Sequence, residues 1–224
     1  MLALIMSGGK SSRLKNYSKI EKPLIEIDSQ QKMIDIVLNS VQKVNLFNLI
    51  YVLTSHRNTP NTRQYLLERY QDKKNTIILN SKGKDYSTDL SFFLNSFKNK
   101  IIFVCSADLP LIDSKIIGDI LERFNRINRK DNVEGKCVSI LVEKEFVQAN
   151  NIIPSIISTK RITTTKEYCY SGVSIFDTKN FHNKKIVNEE YIVMNDRRLA
   201  VNINTKSDLV LTKYSINNNN NKNN

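Results

Sequence analysis

The chain has 224 residues, of which 40% are apolar and 25% charged, and its formal net charge at pH 7 is +12. This composition excludes a wholly disordered chain, because the apolar content can fill a sizeable core, and no apolar run reaches the ~18 residues that a membrane-spanning helix needs. Cys105, Cys137 and Cys169 lie far apart and form no Cys-x-x-Cys pair, which excludes a zinc finger or disulfide scaffold and favours a cytoplasmic location.

The basic residues are spread along the whole chain, and no segment interleaves them with aromatic residues as a single-strand binding surface would. A solvated basic surface explains this distribution, and attraction of a polyanion such as a small phosphorylated ligand is the alternative. We therefore expect neither a nucleic-acid partner nor a membrane partner.

Short β-rich runs alternate with longer amphipathic segments, and several of the short runs are apolar on both faces. This pattern predicts an α/β domain in which helices cover both faces of a mostly parallel sheet and each strand is followed by a helix. The predicted strands are Leu2–Met6, Leu49–Thr54, Thr76–Leu79, Ile101–Cys105, Cys137–Val142 and Tyr170–Phe176.

Each predicted helix is marked by apolar residues at helical spacing or by a residue that typically caps a helix. The helices are Met33–Val44, one opened by Thr59-Pro60, one capped by Ser87, one begun by Asp113 or Ser114, and one begun by the capping box Thr205–Asp208. The stretch Asn217–Asn224 is almost pure Asn and has nothing apolar to bury. We therefore expect one domain over residues 1–214 and a disordered Asn-rich tail over residues 215–224.

The segment after the first strand has the composition of a phosphate-binding loop. Gly8-Gly9 lets the backbone turn sharply and present successive N–H groups to phosphate oxygens. Ser11-Ser12-Arg13 then adds hydroxyl donors and a guanidinium group. The spacing fits neither a Walker loop nor a Gly-x-Gly-x-x-Gly fingerprint, and a tight connection without a binding role is the alternative.

Other charged or amide side chains occur where they could support such a loop. Lys22, in Glu21–Leu24, would act as a point charge beside phosphate. Asp108 follows a buried strand, where ligands bind in open α/β sheets and where a carboxylate can hold Mg²⁺. Alternation along a short strand puts Asn202 and Asn204 on one face. The structural alternatives are a surface lysine for Lys22, a helix or turn cap for Asp108, and a helix cap for Asn202 and Asn204.

In this order, Leu4–Leu14, Glu21–Leu24, Ala107–Pro110 and Asn202–Thr205 resemble the nucleotidyltransferases of the sugar-nucleotide and molybdenum-cofactor guanylyltransferase superfamily. Within that superfamily the chain is similar to the archaeal GTP:adenosylcobinamide-phosphate guanylyltransferases of cobalamin synthesis. This added resemblance lies in the segments Thr54–Thr62, Ser81–Leu90, Ser171–Ile175 and Asn202–Leu209. The similarity extends from Met1 to about Tyr214.

The resemblance implies a Rossmann-like nucleotide-diphospho-sugar transferase fold and transfer of GMP from GTP to adenosylcobinamide phosphate, with release of pyrophosphate and Mg²⁺ as cofactor. It assigns catalysis to Arg13, Lys22 and Asp108, and metal binding to Asp108 and Asn204. The implied nucleotide-binding residues are Ser7, Gly8, Gly9, Ser11, Ser12, Arg13, Lys22, Thr54, Ser55, Gly83 and Asp85. The implied acceptor-binding residues are Ser171, Gly172 and Asn202. Asp85 departs from the archaeal pattern, which has Gly at that position.

Other functions remain open on the sequence alone. One is nucleotidyl transfer to a different phosphorylated acceptor, such as a molybdopterin, a sugar phosphate or a phospholactate. Another is a GTP- or RNA-binding module without catalytic activity. The sequence also leaves the oligomeric state open, a homodimer included.

Overall fold

The structure is a computed structural model of the chain. It describes residues 1–10, 14, 19–28, 31–70, 72–131, 135–154, 156–158, 166–179 and 188–220. None of the three cysteines forms a disulfide, in agreement with the sequence analysis, and all three are buried. None of the described helices combines the length and apolar character needed to cross a membrane.

A seven-stranded sheet with the order β3-β2-β1-β4-β6-β5-β7 forms the centre of the protein. The strands are β1 (Leu2–Met6), β2 (Leu49–Ser55), β3 (Thr76–Ser81), β4 (Ile101–Ser106), β5 (Cys137–Glu143), β6 (Tyr168–Asp177) and β7 (Glu189–Val193). Strands β3, β2, β1 and β4 pair in parallel. Strand β6 runs antiparallel to both β4 and β5, whereas β7 is parallel to β5. The prediction of a mostly parallel sheet is therefore confirmed.

The edge strand β7 has no counterpart in the sequence prediction. It begins with Glu189 and Glu190 and has only a short apolar stretch, so its sequence does not resemble that of a strand covered on both faces. Charged residues are typical of edge strands, which must avoid pairing with other chains. Glu189 nevertheless accepts a hydrogen bond of 2.6 Å from the hydroxyl of Ser139 on β5.

Helices cover both faces of the sheet, as predicted. They are α1 (Met33–Gln42), α2 (Pro60–Tyr70), α3 (Tyr86–Asn95), α4 (Ser114–Asp131), α5 (Lys144–Ala149), α6 (Arg197–Ala200) and α7 (Lys206–Asn220). Side chains of β1 alternate between the two faces. Ala3 and Ile5 belong to the core cluster that contains α1 and α4. Leu4 and Met6 belong to the cluster that contains α3.

Three details of the helices differ from the sequence prediction. Helix α3 begins one residue before Ser87, and its cap is Asp85, whose carboxylate accepts a 2.8 Å hydrogen bond from the Thr88 N–H. Between β6 and β7 the described residues 178, 179 and 188 form no helix, whereas each earlier strand from β2 to β5 is followed directly by one. Helix α7 continues to Asn220, past the expected boundary at residue 214, because Ile216 packs against a small core cluster around Leu14.

Candidate active site

The carboxyl ends of β1 to β4 open into a cavity of about 520 Å³. Its walls come from the loop after β1, the segment from Gly83 to Asp89 after β3, and the loop Ser106–Asp108 after β4. Lys22 and Asn204 reach the same cavity from distant parts of the chain. This edge of an open α/β sheet is where ligands bind, so the fold brings the predicted phosphate loop, lysine, aspartate and asparagine together.

The loop after β1 is held by the neighbouring strand and leaves one polar atom without a partner. The Ser7 N–H donates to the carbonyl oxygen of Leu53 at 2.9 Å, which continues the pairing of β1 with β2. The Ser7 hydroxyl is buried and has no hydrogen-bond partner among the described residues. A buried polar atom of this kind is usually satisfied by water or a ligand, and Ser7 lines the cavity. Ser11, Ser12 and Arg13 lie outside the described residues.

Asn58 joins the loop after β1 to the loop after β3. Its side-chain amide donates to the carbonyl oxygens of Gly8 and Gly83, both at 3.0 Å. Gly83 has a φ of +65°, and a Cβ added there would lie 2.2 Å from Ser55 Oγ and 2.9 Å from Asn58 Nδ2. Only glycine fits this conformation and this space without displacing its neighbours. The two loops are therefore fixed relative to each other at the cavity wall.

Replacing Gly83 with Ala is expected to lower the free energy of unfolding by about 2 kcal/mol, because alanine is strained at positive φ and its methyl group collides with Ser55. Denaturant unfolding measures this change. Gly118→Ala is the matched control, since Gly118 lies within helix α4 and its added Cβ meets no atom within 4 Å. That control should gain roughly 0.5–1 kcal/mol, and equal losses for the two variants would show that neither the positive φ nor the contact with Ser55 causes the effect.

Thr54 and Ser55 are fully buried and shape the cavity indirectly. The Thr54 hydroxyl donates to the carbonyl oxygen of Leu79 at 2.8 Å. The Ser55 hydroxyl accepts hydrogen bonds from the N–H groups of Arg57 and Asn58, both at 3.2 Å. The Thr54 side chain thus bonds to β3 and the Ser55 side chain holds the turn that positions Asn58, and neither residue lines the cavity.

Glu21 fixes the segment that carries Lys22. Its carboxylate accepts hydrogen bonds from the N–H groups of Asn61 and Thr62 at 2.9 and 2.7 Å, and from the Thr62 hydroxyl at 2.6 Å. These N–H groups belong to the first turn of α2, whose amide groups have no partners within the helix. Glu21 therefore anchors the short 3₁₀ turn Lys22–Leu24 to the start of α2.

The Lys22 ammonium lies between a carboxylate and an amide oxygen inside the cavity. Its Nζ is 2.6 Å from Oδ2 of Asp108 and 3.1 Å from Oδ1 of Asn204. The Lys22 side chain is 11% exposed and the Asp108 side chain 21% exposed, so this ion pair is partly shielded from water. Lys22, which is predicted to bind phosphate, therefore lies in direct contact with Asp108 and Asn204, which are predicted to bind metal.

The segments that carry Asp108 and Asn204 are tied to each other. Residues 201–204 lie outside any strand, contrary to expectation, and the Ile203 N–H instead donates to the carbonyl oxygen of Asp108 at 3.0 Å. Arg198 pairs with Asp113 on the loop after β4 at 2.9 Å and with Asp196 at 2.6 Å. The hydrogen bonds from Arg198 keep the pKa of Asp196 below its usual value. The hydrogen bond from Ile203 to Asp108 therefore joins the segment that carries Asn204 directly to the loop that carries Asp108.

The donor set fits a hard divalent cation such as Mg²⁺. The Lys22 ammonium already occupies the position between Asp108 and Asn204 and shows that their oxygens converge on a positive charge. Magnesium prefers one or two carboxylates completed by phosphate oxygens and water. No cluster of three His, Cys, Asp or Glu side chains occurs within the parts of the chain that the structure describes.

The predicted acceptor-binding residues lie together, with Ser171 and Gly172 on β6 and Asn202 in the segment after α6. The Asn202 amide lies 3.5 Å from the carbonyl oxygen of Ser171. A Cβ at Gly172 would approach Asn202 Oδ1 at 3.3 Å and Ser106 Cβ at 3.4 Å. The Ser171 hydroxyl accepts the Val173 N–H at 3.2 Å and is buried. This group therefore borders the loop that leads from β4 to Asp108.

Asp85 lines the cavity, but its carboxylate is already engaged. One oxygen accepts the Thr88 N–H at 2.8 Å and the other the Thr88 hydroxyl at 2.7 Å. The Thr88 N–H contributes most to keeping the pKa of Asp85 below its usual value, and the Thr88 hydroxyl adds to the effect. The structure thus gives Asp85 the role of helix cap, which explains an acidic residue at this position without reference to a ligand.

Sequence reasoning missed three polar residues of this site: Glu21, Asn58 and Asp89. Glu21 and Asn58 act through contacts with residues distant in the chain, at separations of 40 and 50 residues. Asp89 is buried at 7% exposure in the first turn of α3 and lines the cavity. A signal for Asp89 was present, because an acidic residue on the apolar face of an amphipathic helix is unusual unless it is paired.

Comparison with known proteins shows which proteins the whole chain resembles. The sequence profile described as the MobA-like NTP transferase domain matches residues 3–140. Adenosylcobinamide-phosphate guanylyltransferase from Methanocaldococcus jannaschii is 33% identical over 217 residues, which cover 95% of this chain and 96% of that protein.

Solved structures share the fold at low sequence identity. A putative glucose-1-phosphate thymidylyltransferase from Bacillus anthracis superposes with a TM-score of 0.66 at 13% identity, covering 96% of this chain and 94% of that chain. A CMP:2-keto-3-deoxy-manno-octonic acid synthetase in complex with CTP superposes with a TM-score of 0.63 at 11% identity, covering 97% of this chain and 98% of that chain. At such identities the likeness establishes the fold alone.

Proposed function

The chain belongs to the family of MobA-like NTP transferases, and we propose on that premise that it transfers GMP from GTP to the phosphate of adenosylcobinamide phosphate. The observation that carries the proposal is the convergence of Lys22, Asp108 and Asn204 beside the glycine loop in one cavity. The near full-length similarity to a guanylyltransferase that acts on adenosylcobinamide phosphate supports the choice of acceptor.

The reaction joins two anions, so the site must mainly neutralise charge and align the reactants. An oxygen of the acceptor phosphate attacks the α-phosphorus of GTP and forms a new P–O bond. The bond from that phosphorus to the oxygen bridging to the β-phosphorus breaks, and pyrophosphate leaves with that oxygen and the electron pair. No protein nucleophile is required, in agreement with a site built from a lysine, a carboxylate, amides and backbone N–H groups.

The residues of the cavity have distinct roles in this proposal. The backbone of Gly8-Gly9 and the unpartnered Ser7 hydroxyl would donate to phosphate oxygens. The Lys22 ammonium would offset the negative charge of the phosphates. Asp108 and Asn204 would hold Mg²⁺, which supplies further charge neutralisation when bound. Ser11, Ser12 and Arg13 remain predicted phosphate ligands on the basis of their motif.

Acceptor-dependent release of pyrophosphate tests the proposal. The full chain is incubated with GTP, Mg²⁺ and adenosylcobinamide phosphate, and pyrophosphate is measured against reactions without acceptor and with a sugar 1-phosphate in its place. We expect release only with adenosylcobinamide phosphate, together with a product that contains both the corrinoid and GMP. Release with the sugar phosphate instead would reassign the acceptor, and binding of GTP without release for any acceptor would contradict the enzymatic function.

A further inference from the structure

Asp89 is a buried carboxylate at the wall of the nucleotide cavity. It lies in the first turn of α3, its residue surface is 7% exposed, and it lines the cavity together with Gly83 and Lys84. Its backbone N–H donates to the carbonyl oxygen of Asp85 at 3.1 Å, as expected within a helix. The Asp89 carboxylate makes no hydrogen bond or ion pair with any residue that the structure describes.

The contrast with Asp85 is informative, because the two carboxylates are one helical turn apart. Asp85 is exposed and both of its oxygens are occupied by Thr88. Asp89 is shielded from bulk water and has acceptor oxygens available. An unpaired buried carboxylate is costly, and such groups normally meet donors or cations. Asp89 is therefore available to a ligand that supplies donors at this wall of the cavity.

Asp89 lies in the segment that follows β3, whereas Asp108 lies in the loop that follows β4. Gly83 follows β3 and Asp108 follows β4, and β2 and β1 lie between these strands. With about 4.8 Å between neighbouring strands, the carboxyl ends of β3 and β4 are roughly 14 Å apart. Asp89 lies four residues after the N-cap of α3, about 6 Å along the helix axis. A negative side chain there would repel phosphates, which favours the base end of a nucleotide.

Guanine is the base that fits a free carboxylate. Its N1–H and its exocyclic 2-amino group are adjacent donors, and the two oxygens of an ionised carboxylate are acceptors only. Adenine offers an acceptor at N1 beside its amino group and cannot satisfy both oxygens. We propose that Asp89 accepts hydrogen bonds from N1–H and the 2-amino group of guanine and so makes the site selective for GTP. This inference rests on the proposed function, since it assumes that the cavity holds the nucleotide.

Asp89→Asn tests the assignment because the amide keeps the shape of the side chain and replaces one acceptor with a donor. Xanthine carries a carbonyl in place of the 2-amino group, so the amide should suit XTP and the carboxylate GTP. Calorimetric titration of the full chain should give wild-type protein a preference for GTP over XTP. In Asp89→Asn the affinity for GTP should fall roughly 10- to 100-fold, by analogy with a lost bidentate base contact, and the preference should reverse. Loss of folding cannot produce such a reversal.

Matched controls distinguish a contact between Asp89 and guanine from a contact made by Asp85 or one made to the ribose. Asp85→Asn should retain the preference for GTP, and a reversal in that variant instead would assign guanine recognition to Asp85. Wild-type protein should bind ITP, which lacks the 2-amino group, about 10-fold more weakly than GTP, and equal affinities would overturn the inference even if Asp89→Asn failed to fold. A loss of affinity for 2′,3′-dideoxy-GTP but not for ITP would assign Asp89 to the ribose and would also overturn it.

The outcome is independent of the test of the proposed function. If wild-type protein releases pyrophosphate with adenosylcobinamide phosphate and Asp89→Asn still prefers GTP, the base assignment is wrong and the enzymatic function stands. If the preference reverses but no acceptor gives pyrophosphate, the base assignment stands and the enzymatic function is wrong.

Discussion

Replacing Asp108 with Asn is expected to lower kcat/KM for GTP about 100-fold, equivalent to about 2.7 kcal/mol in the transition-state barrier. The amide keeps the size of the side chain but removes the negative charge that pairs with Lys22 at 2.6 Å. It also weakens the donor set that Asp108 forms with Asn204 for a divalent cation. Steady-state kinetics at several Mg²⁺ concentrations measures the effect, and the variant should need more Mg²⁺ for half-maximal rate.

Asp113→Asn is the matched control for this experiment. Asp113 lies on the same loop after β4 and also forms an ion pair, with Arg198 at 2.9 Å, but its side chain is 50% exposed and does not line the cavity. It accepts the Ile116 N–H at the start of α4, and Asn is as good a cap as Asp. We expect kcat/KM to change less than about threefold, because exposed ion pairs contribute little. Equal losses in both variants would mean that Asp108 contributes only by stabilising the loop after β4 and not by its position in the cavity.

Much of the fold could be predicted because its central strands have a strong local signal. Strands β1, β2 and β4 are buried on both faces and read as continuous apolar runs. Strand β7 has no such signal, because it lies at the sheet edge and begins with two glutamates. The N-cap of α3 is Asp85 and not the predicted Ser87, because both residue types favour the N-cap and sequence alone does not decide between neighbours.

The candidate site could be predicted only in part, because its contacts join distant segments. The composition of the loop after β1 and the position of Asp108 after β4 are local features, and both indicated the site. The pairing of Lys22 with Asp108 spans 86 residues, and that of Lys22 with Asn204 spans 182 residues. No periodicity or motif encodes these distances. The separate roles of Asp85 and Asp89 also depend on which carboxylate meets Thr88 and which is buried.

Lys22→Met is expected to lower kcat/KM for GTP about 100-fold, mainly through a higher KM. Methionine keeps an unbranched apolar side chain of similar length but removes the ammonium group, which is the cation that Asp108 and Asn204 surround. The phosphates of GTP would then lose the positive charge beside Asp108, whose side chain is 21% exposed, and charge interactions are stronger where water is partly excluded. Steady-state kinetics, with titration of GTP binding in parallel, separates the loss of affinity from any loss of turnover.

Lys144→Met is the matched control, since Lys144 forms an ion pair of the same length, 2.6 Å to Glu167, at the surface of the short helix α5. Its kinetics should resemble those of the wild-type protein. The double variant Lys22→Met/Asp108→Asn then tests whether the ion pair acts as one unit. Groups that act together give losses that do not add, so the double variant should lose about as much activity as the more damaged single variant. A loss near 10,000-fold, the product of the single effects, would mean that Lys22 and Asp108 contribute independently, and the 2.6 Å contact would then be incidental to catalysis.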